Sequence, residues 1–128
     1  MILGSGCFDG LHAGHARYLA ALKKLAHPGE EVRIAVAPDD YIISVKKRKP
    51  HWTQMDRWRT VLECGVQPIA QKEASVAETV RQQKPRLFVK GSEWAGLLPE
   101  DVKTACREMG TQVVYVEAPG THTSEAIG

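Results

Sequence analysis

The stretch GCFDGLHAGH, Gly6 to His15, decides how this chain is read. The run that leads into it, ILGSGCF from Ile2 to Phe8, is apolar and β-rich. The run that follows, ARYLAALKKLA, places Tyr18, Leu19, Leu22 and Leu25 on one side of a helix, with Arg17, Lys23 and Lys24 largely off it. The stretch therefore sits where a strand turns into a helix, and it brings two histidines, an acid, an aromatic ring and three glycines to that junction.

The pattern repeats outward from there. Further β-rich runs lie at Glu31–Ala37, Gly65–Ala70, Arg86–Lys90 and Gln112–Val116. Between them, SVAETVRQQ opens on Ser75 with Glu78 three residues on, and LPEDVKTACREMG carries Pro99 and acids at its start and Gly110 at its end. Strands alternating with helices predict crossover units, hence an α/β domain: a Rossmann-like open sheet of about five parallel strands with helices on both faces. At 128 residues, with no linker, repeat or low-complexity tract, residues 1–128 read as one domain.

In such a sheet the ligand lies beyond the carboxyl ends of the strands, where the strand order reverses. Those ends carry the chemistry here. GCFDGLHAGH follows the first strand, DDYIISVKKRKPHW the second, KGSEWAGLLPE the fourth and EAPGTHTSE the fifth, whereas KLAHPGEE, QQKPR and REMGTQ at the opposite edge read as plain turns.

Composition narrows the classes. Seventeen Lys and Arg against fifteen Asp and Glu leave a net charge of +2, too balanced for a nucleic-acid-coating surface. The basic charge is local, in Lys46–Lys49. No apolar run reaches the ~18 residues of a membrane span, no secretory signal is visible, and Cys7, Cys64 and Cys106 are odd in number and scattered, as expected of free thiols in a reducing cytoplasm.

The histidine pair has three readings. His12 and His15 can be structural. They can join Cys7 as zinc ligands, although no CxxC or second histidine pair completes a tetrahedral set, so no resident metal is expected. Or they can serve an anion: a helix starting near Gly14 directs unpaired N–H groups and the positive end of its dipole beyond the strand, glycine lets a phosphate approach, and imidazoles donate to its oxygens.

GCFDGLHAGH resembles the HxGH signature of the cytidylyltransferase-like nucleotidyltransferases, in the form G-x-F-D-x-x-H-x-G-H. VKKRKPHWTQMDRW resembles that family's basic loop and arginine-bearing helix, VKGSEWAG its K-G-G/D-D-Y/W segment, and THTSEAI its closing S-T-T-x-I segment. The nearest relatives by motif are the heptose 1-phosphate adenylyltransferase domain and glycerol 3-phosphate cytidylyltransferase. The resemblance implies transfer of a nucleoside monophosphate from a magnesium-bound nucleoside triphosphate to a phosphorylated sugar or polyol, with pyrophosphate released. The partners are then small molecules, with no nucleic acid or membrane, and a homodimer is compatible with the family.

By the same resemblance His12, His15, Lys46 and Arg48 are catalytic, and Cys7, Phe8, Asp9, Gly14, Lys90, Gly91, Thr123 and Ser124 bind the nucleotide, with Asp9 fixing the loop or acting through magnesium. Glu93, Trp94 and Arg57 fall to the acceptor or base pocket. Three departures bear on the nucleotide. His122 replaces the first serine of S-T-T, Ser124 replaces its second threonine, and Glu117-Ala118-Pro119 stands where the cytidylyltransferases carry an arginine-bearing stretch. Lys90-Gly91 is kept as in the heptose-type enzymes, so ATP is favoured over CTP. The alternatives are a CTP-dependent glycerol 3-phosphate-type enzyme, a flavin mononucleotide adenylyltransferase, to which KKRKP is also similar, and a nucleotide-binding module with weak turnover. Gly128 falls one turn into an expected terminal helix.

Overall fold

The structure, a computed structural model, describes residues 1–10 and 13–117. Strand β1 (Ile2–Gly6) leads into α1 (Ala13–Leu25), and β2 (Val32–Val36) into α2 (Asp39–Val45) and α3 (Gln54–Glu63). Then come β3 (Gln67–Ala70), α4 (Ala77–Gln83), β4 (Leu87–Gly91), a single 3₁₀ turn (Ser92–Trp94), α5 (Glu100–Met109) and β5 (Gln112–Val116). All four strand pairings are parallel and the order is β3-β2-β1-β4-β5, so the sequence-based expectation of a five-stranded parallel sheet holds. The chain order reverses between β1 and β4.

Side-chain alternation along the strands builds a core on each face. Ile2, Ile34 and Val89 point to the side covered by α1 and α3, where they meet Tyr18, Leu22 and Val61. Leu3, Ala35 and Phe88 point to the other side, against Val80 of α4 and Val102 and Ala105 of α5.

Differences from the sequence reading are local. β1 stops at Gly6 rather than running to Phe8, because Phe8 takes a positive φ of 53° that turns the chain out of the sheet. α4 begins at Ala77, not Ser75: the Ser75 hydroxyl accepts from the Ala77 N–H and donates to Asp101, so it forms no capping box with Glu78. α2 is a helix inside a stretch read as a polar loop. Pro38 precedes it and Asp39 and Asp40 occupy its first turn, where acids favour the helix dipole. At the plain edge of the sheet Arg86 pairs bidentately with Glu30, tying the turn before β2 to the start of β4.

Gly4 marks the closest approach of helix to sheet. A Cβ placed there would lie 2.5 Å from the Tyr18 hydroxyl and 2.6 Å from a Leu22 methyl. The Tyr18 hydroxyl uses that space to donate to the Val89 carbonyl at 2.5 Å and to accept from the Ser5 N–H at 3.1 Å. Gly4→Ala is therefore expected to destabilise the fold by ~1–3 kcal/mol, on the scale of overpacking a filled core; urea unfolding at neutral pH measures it.

Candidate functional site

The site begins with a buried guanidinium. Backbone carbonyls just past the last ladder bond of a strand have no partner in the sheet, and leaving them buried and unpaired is costly. Arg57 of α3, fully buried, meets that need. It donates from Nη1 to the carbonyls of Cys7 (2.8 Å) and Ala37 (2.7 Å), from Nε to that of Trp52 (3.2 Å), and from Nη2 to the Asp39 carboxylate (2.6 Å). One side chain thus fixes the ends of β1 and β2 and the loop before α3. This corrects the expectation that Arg57 touches the acceptor, since its donors are directed into the protein. Gln54, a turn earlier, does the same for the next pair of strands, donating to the carbonyls of Val36 (3.0 Å) and Gln71 (2.8 Å).

Asp9 is the second anchor. Its side chain is fully buried and accepts from Arg48 Nη1 (2.8 Å) and from the backbone N–H groups of His51 (2.8 Å) and Trp52 (2.8 Å). Burial pushes its carboxyl up, but the His51 N–H, the Arg48 side chain and the Trp52 N–H together hold it below the ordinary 3.8. Of the two roles the sequence left open for Asp9, the geometry displays the loop-fixing one. The basic segment Lys46–Lys49 is tied to the β1–α1 junction by a charge-assisted clasp. Within the segment, Lys46 closes α2 and Lys47 has φ 61°, which swings the chain back toward Asp9. Arg48 spends Nη1 on Asp9 and on the Lys49 carbonyl, and its buried Nη2 has no hydrogen-bond partner among the described residues.

The remaining groups converge on the same strand ends. His15, in the first turn of α1 after Gly14, is buried, and its ring lies tilted on Phe8 with centroids 5.0 Å apart. From β4, Lys90 reaches the Ser5 hydroxyl at 3.2 Å, and its ammonium lies 4.7 Å above the Trp94 ring. Glu93 folds back over Gly91: a Cβ at Gly91 would come within 2.5 Å of its carboxylate, whose buried Oε1 has no hydrogen-bond partner among the described residues. That carboxylate also helps push the Tyr18 phenol up, after burial, which is the larger cause. His12, Thr123 and Ser124 lie outside the described residues.

A cavity of about 330 Å³ opens at this edge, reached past Gly6, Cys7, Ala37, Gln71 and Lys90 at the ends of β1 to β4. It lies on the α4 and α5 side of the sheet, while His15 and α1 lie on the other. The cavity and His15 thus lie on opposite faces of the sheet at its strand ends, beside the β1/β4 switch point where an open parallel sheet binds its ligands.

The chain matches the cytidylyltransferase-like family over residues 3–125. It belongs to that family. Among curated relatives, the bifunctional protein HldE of Campylobacter curvus is 29% identical over 99 residues, covering 75% of this chain and 20% of that protein. The HldE of Psychromonas ingrahamii is 30% identical over 134 residues, covering 99% of this chain and 27% of that protein. The chain therefore spans about a fifth to a quarter of these relatives' length. In structure it is similar to a lipopolysaccharide core biosynthesis protein from Thermoplasma volcanium, with TM-score 0.71, 26% identity, and coverage of 91% of this chain and 93% of that one. A protein from Archaeoglobus fulgidus shares the fold at TM-score 0.69 and 18% identity, covering 94% of this chain and 91% of that one.

In this cytidylyltransferase-like chain, sequence reading passed over Asp39 and Gln54 and saw Tyr18 only as an apolar helix position; the partners of all three are remote in sequence. The clasp on Asp9 has a pH signature. Because its native carboxyl is held below its unfolded value, its contribution is fully present above about pH 4 and is lost as pH falls through the native value. The stability gap between the native chain and Asp9→Asn is thus expected to stay constant from neutral pH to about pH 5 and to shrink below pH 4, as followed by urea unfolding at each pH.

Proposed function

We propose that residues 1–128 act as one nucleotidyltransferase domain that moves AMP from ATP to the phosphate of a small-molecule acceptor. The observation that carries this reading is the convergence of His15 at the start of α1, Arg48 in the clasped basic loop and Lys90 at the end of β4 on one strand edge, with a cavity beside them. Family membership supports the reaction class. The kept Lys90-Gly91 pair, and Glu117-Ala118-Pro119 in place of the arginine-bearing stretch of the cytidylyltransferases, support ATP.

The chemistry asks for position and charge. An oxygen of the acceptor phosphate, already ionised, attacks the α-phosphorus; a P–O bond forms there, the bond to the bridging oxygen of the β-phosphate breaks, and pyrophosphate departs. The chain supplies donors aimed at the charge that builds on these oxygens. His15, at the positive end of α1, and His12 are the proposed donors to the α-phosphate, and Lys46 and Arg48 serve the reacting phosphates. Gly14, Thr123 and Ser124 receive the triphosphate through N–H groups and hydroxyls, and Gly91 leaves room for Glu93 at the nucleotide side of β4. Magnesium would enter with the triphosphate as part of the substrate, in keeping with its preference for phosphate oxygens and water, and would supply charge neutralisation there. Among the described residues no group of three His, Cys, Asp or Glu side chains is placed to cage a metal ion.

His15→Ala is expected to lower kcat by about 10²–10³, the scale of losing one donor to the transition state, with the circular dichroism spectrum retained; near-normal pyrophosphate release would remove His15 from the mechanism. Magnesium-ATP is expected to raise Tm more than magnesium-CTP at equal concentration, because a ligand that binds the folded state stabilises it according to its affinity. A larger shift with CTP would transfer the reading to the glycerol 3-phosphate type.

A further inference from the structure

The cavity beside the strand ends has walls unlike a sugar site. Phe88, Leu98, Val102, Ala37, Tyr41, Val45 and Trp94 line it. Its polar groups are engaged with the protein. Gln71 Nε2 donates to the carbonyls of Glu73 (2.7 Å) and Ala74 (3.1 Å), and the Ser75 hydroxyl donates to Asp101 Oδ2 while accepting from the Ala77 N–H. Asp101 Oδ1 accepts from the Val102 N–H, and the Ser5 hydroxyl accepts from Lys90.

A polyhydroxylated body placed in this space would bury hydroxyls with few partners, and an unpaired buried hydroxyl is penalised more heavily than a missing contact. A flat apolar body would instead exchange water for Phe88, Leu98 and Val102 on its faces. Lys90, at the end of β4 beside the groups proposed for transfer, supplies a cation to the cavity lining.

We propose that the acceptor is a phosphate monoester carried on a flat, largely apolar ring system, held with its phosphate toward Lys90 and its body against Phe88, Leu98 and Val102. The proposal rests on the nucleotidyltransferase reading for the word acceptor, but the binding it asserts is independent of turnover. It reverses the sugar or polyol that the motif resemblance implies.

The test is calorimetric binding of four probes to the full chain: 1-naphthyl phosphate and flavin mononucleotide as flat bodies, mannose 1-phosphate and glycerol 3-phosphate as hydroxylated ones. At least one flat probe is expected to bind tenfold or more tightly than both hydroxylated ones and to remain bound in the presence of magnesium-ATP. Ala74→Phe, at an exposed position on the rim, and Val45→Phe in the cavity lining should each weaken that probe tenfold or more while leaving the magnesium-ATP melting shift unchanged. Equal or tighter binding of a hydroxylated probe, no binding of either flat probe, displacement by magnesium-ATP, or indifference to both substitutions would each overturn the proposal. Failure of the nucleotidyltransferase reading shows differently, as no melting shift with magnesium-ATP and no pyrophosphate release, whatever the probes do.

Discussion

The fold depends most on the buried guanidinium of Arg57. A parallel sheet satisfies its interior by the ladder, but where two adjacent strands end and diverge into loops, their last carbonyls face inward with nothing to bond. Five donors in a rigid plane are suited to several acceptors at once, which a lysine ammonium on a flexible stem matches poorly. Arg57 uses this to join Cys7, Ala37 and Trp52, three backbone positions on three different segments, with Asp39 as counter-charge. The functional edge is organised around that joint.

Asp9 extends the arrangement outward. Arg57 holds three segments by their carbonyls, and Asp9, at the β1–α1 junction, holds one of them, the loop before α3, by the N–H groups of His51 and Trp52, so opposite charges grip opposite backbone atoms of that loop. The basic loop is thereby held in place at the strand ends with its positive charge, rather than being a free tail. Positioning is the larger part of phosphoryl and nucleotidyl transfer, where little covalent chemistry is asked of the protein. Both anchors lie outside the reacting atoms.

What sequence made legible follows the range of the forces involved. The five strands and the helices α1 and α5 declare themselves through local periodicity and end signals: Pro99 opens α5 and Gly110, at φ 67°, closes it. The HxGH segment and Lys90-Gly91 are also local, and they mark the edge where the structure gathers His15, Arg48 and Lys90. Less legible were features decided by remote partners. Ser75 has the spacing of a capping box, yet its hydroxyl goes to Asp101, 26 residues away. Arg57 reads as a helix-surface arginine with a motif match, and only the partner list, reaching 50 residues back to Cys7, reveals a structural joint. The short α2 was hidden because its polar and basic neighbours outweigh the single buried Ile42.

Phe8 ties the chemistry of the edge to the interior in a way that bears on variation. Its backbone occupies the left-handed region, unfavourable for a bulky residue, and the ring that compensates is sunk in the core between His15 and Tyr18. Tyr18 in turn contacts β1 and β4 through its hydroxyl. A conservative change deep in that cluster, at Val89 or Leu22 for example, would let the ring shift and the loop relax, and His15 would move with it. Under the proposed function, such interior positions would behave as activity-determining sites: neutral drift there would be curtailed by misplacement of His15 well before the chain lost its ability to fold.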